Sequence, residues 1–219
     1  LSSVVLFGTG DFARVAAVYL RDDSPHEVVA FTVHEEYIDA PELMGIPVVP
    51  FERLEETHAP SSNAMLVAIG FSGVNRRRAE LYAECKARGY ELITYVSSQA
   101  FVSRDVELGD NCFVFEANVI QPFVRIGSDV VLWSGNHIGH DTTIEDHCFI
   151  ASHVVVSGNV TIGERTFVGV NATFRDGVTV APDCVIGAGA LIMKNTVEGG
   201  VYSVRGTEAS ERKSWDLGL

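Results

Sequence analysis

The sequence predicts two architectures in one chain: a small α/β unit with a parallel sheet, half of a Rossmann-like fold, then a parallel β-helix of six-residue repeats. Three observations predict it. From Val102 to Ile192 an apolar residue returns at every sixth position without a miss (Val102, Leu108, Val114, Ile120, Ile126, Leu132, Ile138, Ile144, Ile150, Val156, Ile162, Val168, Phe174, Val180, Ile186, Ile192). Before that run, strand-like and helix-like stretches alternate. At the very start, a β-rich segment ends in a glycine turn that opens an amphipathic stretch.

The first strand is Ser3 to Phe7, followed by Gly8-Thr9-Gly10-Asp11-Phe12-Ala13 and a helix carried by Phe12, Val15, Ala16, Tyr19 and Leu20. Strand, Gly-x-Gly-x-x-Ala, helix is how a nucleotide-binding βαβ unit begins: the glycines permit the tight turn and the helix amides can hold a phosphate. Val28 to Val33 reads as the second strand, Phe51 to Thr57 as a short helix, Ala64 to Ile69 as the third strand, Val74 to Arg88 as a helix and Glu91 to Tyr95 as a fourth strand. NAD is disfavoured, because Thr32-Val33-His34-Glu35-Glu36 brings its carboxylate late for a ribose and only half a dinucleotide domain is present. A single nucleotide, or a nucleotide-linked sugar, fits better. The alternative is that Gly8 and Gly10 merely make a turn. Gly70-Phe71-Ser72 ends the third strand at the same edge of the sheet and could help line a pocket there.

A period of six suits neither a helix nor a meander. It suits a coil of short parallel strands, three per turn, each giving one side chain to a narrow interior. Ser97 to Ser103 is the expected junction, which divides the chain into 1–97, a β-helix over 98–196 and a tail over 197–219. Stacked coils leave strand edges at both ends. The top is therefore expected to abut the α/β unit, and the tail, with Trp215, to cap the bottom.

The net charge of −13 disfavours nucleic acid as a partner. Arg76-Arg77-Arg78 reads as part of a helix face, although an anionic ligand could use it. No segment has the roughly 18 apolar residues of a membrane span, and the apolar start lacks a signal peptide's basic flank. A cytoplasmic protein is expected. Cys112, Cys148 and Cys184 recur at intervals of 36, two coils, which puts them inward and roughly 10 Å apart, too far for a disulfide. No cysteine spacing suggests a metal site, and none is expected.

Polar residues interrupting the repeat locate the chemistry. The densest group is Trp133-Ser134-Gly135-Asn136-His137-Ile138-Gly139-His140-Asp141. His147 and His153 read as solvated. His140 differs: Asp141 follows it, and Gly158 lies one coil, 18 residues, further on. Imidazole beside a glycine N–H is a general base next to an oxyanion donor. His137 and His140 point to opposite sides, which argues against zinc.

These features resemble the hexapeptide-repeat (left-handed β-helix) acyltransferases. Within them, the chain is similar to the nucleotide-sugar N-acetyltransferases and sialic acid O-acetyltransferases that carry an N-terminal α/β domain. The resemblance rests on the hexad register, Gly8-Thr9-Gly10, Gly139-His140-Asp141, Ser157-Gly158-Asn159, Phe167-Val168-Gly169-Val170-Asn171 and Ile186-Gly187-Ala188-Gly189-Ala190. It implies a homotrimer using acetyl-CoA, with His140 as base, Asp141 orienting it and the Gly158 amide holding the thioester carbonyl. Gly169, Val170, Gly187, Ala188 and Lys194 would line acetyl-CoA. Gly8, Gly10, Asp11, Phe12, His34 and Gly70, with Asn136 and His137, would bind the nucleotide-sugar acceptor. Relatives often carry a further histidine near the acetyl group where this chain has Phe149. The expected reaction is N-acetylation of a nucleotide-linked amino sugar, with O-acetylation of a sugar hydroxyl or a non-catalytic trimeric scaffold as alternatives.

Overall fold

A computed structural model describes residues 2–216. Strands β1 (Ser3–Phe7), β2 (Glu27–Val33), β3 (Glu42–Leu43), β4 (Ile46–Pro50) and β5 (Ala64–Val67) form one sheet in the order β3-β4-β2-β1-β5, parallel except for β3. Helix α1 (Asp11–Asp23) follows β1, and α2 (Arg76–Ala87) follows β5. Strand β1 and the edge strand β5 are buried along nearly their whole length, as a parallel sheet covered on both faces requires. The chain leaves β1 at Gly8, β2 at His34 and β5 just before Gly70, so all three lie at one edge.

Two elements depart from expectation. Glu91 to Tyr95 is not a fourth strand: it touches the sheet only through a bridge from Leu92 to Met65, and Tyr95–Val96 instead opens the β-helix. Conversely, β4 pairs with β2 although it holds Pro47 and Pro50, residues that argue against a strand.

From Tyr95 to Tyr202 the chain winds a left-handed parallel β-helix of two-residue strands. Its three faces hold seven, six and five strands, and partners lie 18 residues apart, as where His137 pairs with Val119 and Val155, except at the last strand, where Val185 pairs with Val201. The sixfold anchors point inward and form one continuous core from Val114 to Ile192. Each is packed between the coils above and below it, so truncating Leu132 or Ile150 to alanine costs about 2–5 kcal/mol. The third residue after most anchors turns the corner in the left-handed region, among them Asn111, Asp129, Asp141, His147, Asn159 and Asp183 with φ between 51° and 63°. Asn, Asp and His tolerate that conformation best after glycine, which is why polar residues recur at the edges.

The α/β unit does not sit on top of the coil. It docks sideways on the first face, whose outward residues Tyr95, Phe113, Val131 and Phe149 join Phe12 and Leu20 of α1 in one core. Phe12 meets Phe113 edge-on at 5.5 Å, and Trp133 stacks on Phe115 at 4.4 Å. Burying this aromatic wall favours the lateral contact. Among the described residues the tail does not cap the coil beyond Tyr202: Val201–Tyr202 adds the last strand, residues 203–215 are exposed, and Trp215 is 79% exposed. The last coil is covered by Tyr202, which packs on the β-helix core.

Cys112, Cys148 and Cys184 lie in that core as free thiols. Burial pushes the Cys112 and Cys148 thiols up to about 12. They are therefore protonated and unreactive at neutral pH.

Candidate active site

The strand His137–Ile138 lies on the second face of the β-helix, and the turn after it carries His140 and Asp141 along the edge between the second and third faces. Because Asp141 is left-handed (φ 57°), its side chain folds back beside the preceding ring, and His140 Nδ1 lies 2.8 Å from Asp141 Oδ2. The His140 backbone N–H donates to Gln121 Oε1 at 2.9 Å, which fixes the turn from the coil above. With a proton held on Nδ1 by the carboxylate, Nε2 keeps its lone pair and can accept another. The pair is open to solvent, with 54% of the imidazole and 51% of the carboxylate exposed.

Gly158 lies one coil below. A Cβ built there would stand 2.7 Å from both His140 Nε2 and Cε1, so only glycine lets the ring settle over that peptide. Its carbonyl accepts from Gly177 N–H at 3.0 Å, whereas its own N–H has no acceptor among the described residues. A base nitrogen beside a residue with an unengaged peptide N–H supplies the parts an acyl transfer needs.

Two further members of this edge continue the 18-residue column: Asp176, whose Oδ2 is 3.1 Å from the same constructed Cβ, and Lys194. Asp176 was not singled out from the sequence, although counting 18 residues on from Gly158 reaches it. Gly169, Val170, Gly187 and Ala188 occupy a different edge, between the first and second faces. There Gly169 permits close stacking, since a Cβ would stand 2.6 Å from Ala188 N. Within one subunit the expected acetyl-CoA residues are therefore split between two edges.

The expected acceptor residues are scattered as well. Gly8 (φ 128°) needs to be glycine, because a Cβ would meet Ala68 O at 2.8 Å; Gly10 caps α1 with open space above it. Asp11 is fully accessible beside Arg14. Phe12 does not face a ligand: it is 9% exposed and committed to the contact with the β-helix. Asn136 is corrected too. It is buried inside the coil, its amide donating to Trp133 O and its Oδ1 accepting from Val154 N–H. His137 stays half-buried on the outer second face. Within one subunit Phe149 is on the first face against Phe71 and Phe167, away from His140. His34 borders an open cleft of 620 Å³ with Glu35, Glu36, Glu52 and Arg77, and its Nδ1 lies 2.8 Å from Glu52 Oε1. Gly70 lends its carbonyl to Arg78.

Arg78 is neither a solvated helix residue nor an anion site. It is fully buried, bonded to Asp129 Oδ1 at 3.1 Å and to the carbonyls of Asp129, His147 and Cys148. Asp129 also holds Asn111 at 2.7 Å and His147 Nδ1 at 2.8 Å. His147 is thus not solvated; it belongs to the polar seam that fastens α2 to the β-helix, with Asn75 donating to the carbonyls of Arg165 and Thr166. Among the described residues, no group of three or more His, Cys, Asp or Glu side chains could hold a metal ion, and no helix is long and apolar enough to cross a membrane.

The pattern of the bacterial transferase hexapeptide (six repeats) matches residues 123–158 and again 159–194. The fold is similar to PerB from Caulobacter crescentus solved with CoA and GDP-perosamine, at 26% identity over 93% of this chain and 95% of that one, with a TM-score of 0.82. A histidine-to-asparagine variant of perosamine N-acetyltransferase from the same organism, with the same ligands, matches at 26% identity over 93% and 94%, TM-score 0.82. The acetyltransferase domain of PglB from Neisseria gonorrhoeae shares the fold at 24% identity over 93% and 97%, TM-score 0.82. The chain thus carries the bacterial transferase hexapeptide repeat and is similar over most of its length to sugar acetyltransferases.

Proposed function

We propose that this protein transfers the acetyl group of acetyl-CoA to the amino group of a nucleotide-linked amino sugar, a dideoxy sugar, with His140 as general base. One observation carries the reading: His140 is oriented by Asp141 through Nδ1 while its Nε2 side packs against the Cα of Gly158, a residue whose N–H has no acceptor among the described residues. The similar Caulobacter crescentus proteins bound to CoA and GDP-perosamine support the substrate class.

The amine nitrogen attacks the thioester carbonyl carbon as Nε2 removes its proton. Gly158 N–H donates to the oxyanion that forms. Collapse breaks the carbon–sulfur bond, and the imidazolium returns the proton to the departing thiolate, giving an amide and free CoA. No covalent enzyme intermediate is required, consistent with three cysteines lying in the core.

Lys194, two coils below Gly158, supplies a cation for the phosphates of CoA. Val170 and Ala188 line pantetheine from a neighbouring subunit, because their edge is not that of His140. That division supports a homotrimer. The second face supports it too: Phe101, Val119, His137, Val155, Thr173 and Leu191 stand in register along it, and Phe101 and Leu191 are 61% and 63% exposed. The sugar nucleotide is held at the Gly8–Gly10 turn, with His34 and Gly70 beside it at the same edge of the sheet. The test is a thermal-shift panel of UDP-, GDP- and dTDP-amino sugars with acetyl-CoA and NAD, followed by turnover of His140→Ala. Stabilisation by acetyl-CoA and an inactive variant that still binds it are expected. Stabilisation by NAD alone, or full turnover by the variant, would overturn the reading.

A further inference from the structure

The unassigned member of the transfer edge is Asp176. Its Oδ2 and His140 Nε2 stand 3.1 Å and 2.7 Å from one point above Gly158, and so less than about 6 Å apart, within the range where opposite charges stabilise each other. Asp141 already occupies Nδ1, so Asp176 is a second carboxylate on the reacting side of the ring. It makes no hydrogen bond or ion pair among the described residues; neighbouring Arg175 turns away to Met193 O. A turn before Gly177 (φ 71°) accounts for an aspartate at this position, but not for a carboxylate aimed at the base.

A negative charge beside a thioester opposes the oxyanion and the thiolate that form there. It helps only if a cation passes between them. A protonated sugar amine is such a cation, and a sugar hydroxyl is not.

We propose that Asp176 is the residue that selects an amine over a hydroxyl acceptor, by holding the acceptor's ammonium beside His140. The proposal rests on His140 and Gly158 being the transfer site. The ammonium reaches Asp176, releases one proton to water, and the free amine then attacks while Nε2 takes the second proton. The net reaction converts ammonium and acetyl-CoA into acetamide, CoA thiol and one proton.

The test uses the full-length enzyme, taking as acceptor the best-turned-over of a panel of nucleotide amino sugars that includes GDP-perosamine, together with the same sugar bearing a hydroxyl. Calorimetry in the presence of CoA should give tighter binding of the amine than of the hydroxyl compound, by about tenfold. Asp176→Asn should erase that difference and lower kcat/KM for the amine by a similar factor, with KM for acetyl-CoA unchanged, and Asp176→Glu should restore part of it. Unchanged discrimination in Asp176→Asn, an equal loss for both acceptors, or a loss confined to KM for acetyl-CoA would each overturn the proposal. The last result would assign the carboxylate to pantetheine. If His140→Ala is inactive while Asp176→Asn behaves as wild type, only this proposal fails. If His140→Ala stays active, or no amine is acetylated, the site reading fails with it.

Discussion

Two edges of the β-helix carry the same pair of groups and put them to opposite ends. On one, His140 and Asp141 meet at 2.8 Å; on the other, His147 and Asp129 meet at 2.8 Å. The geometry is alike, but the surroundings are not. The first pair is about half exposed on both sides, whereas His147 is 14% exposed and Asp129 not at all. Asp129 is moreover shared with the buried Arg78 guanidinium. A histidine whose second nitrogen faces open space beside a free amide can move a proton to a substrate. One packed against α2 can only hold two structural units together. Contact distance does not distinguish the two pairs; access does.

The comparison can be broken most severely at the buried edge. Arg78→Met removes one partner of an enclosed ion pair and leaves Asp129 uncompensated, which should cost about 3–5 kcal/mol, read as a lower midpoint in denaturant unfolding. Turnover by the remaining folded protein should be nearly normal. At the open edge the order reverses. Gly158→Ala places a methyl 2.7 Å from the His140 ring, and because that ring is the free end of a side chain it swings away. Turnover should fall about 100-fold with little change in melting temperature. Asp141→Asn should cost no more than that, about 10- to 100-fold, again without loss of stability, since the carboxylate is half exposed.

The smallest effect sharpens the contrast through pH. Asp23, at the end of α1, accepts from Ser98 N–H at 2.8 Å and Tyr95 O–H at 2.7 Å. The Ser98 bonds foremost, and Tyr95 after them, draw its carboxyl down from the ordinary 3.8 to about 2. A lowered carboxyl stabilises the fold fully above pH 3.8 and loses that contribution as pH falls towards 2. Asp23→Asn should therefore flatten the acid limb of stability between pH 4 and 2 while leaving the neutral plateau slightly lower, as followed by circular dichroism.

The β-helix was legible because its constraint is local and repeated: every inward position meets the same narrow interior, so one residue type returns at a fixed interval. The same interval made His140 and Gly158 neighbours on paper, and would have reached Asp176 and Lys194 as one column had it been followed further. What the sequence concealed is long-range. Arg78 and Asp129 are 51 residues apart and belong to different units, so nothing near Arg78 distinguishes it from Arg76 and Arg77. The aromatic wall of Phe113, Phe149 and Phe167 sits just before the anchors and reads as strand propensity rather than as a docking surface. Glu91 to Tyr95 misled for a related reason: its apolar residues serve two cores, Leu92 that of the α/β unit and Tyr95 the joint with the β-helix. The tail offered an apolar Trp215 but no partner surface to receive it.

The central claim is that the open histidine works and the enclosed one fastens. His140→Gln and His147→Gln, measured side by side for acetyl transfer and for melting temperature, test it directly. The account predicts that His140→Gln loses turnover by at least about 100-fold at an unchanged melting temperature, and that His147→Gln melts lower but still transfers. Active His140→Gln beside inactive, fully stable His147→Gln would contradict it.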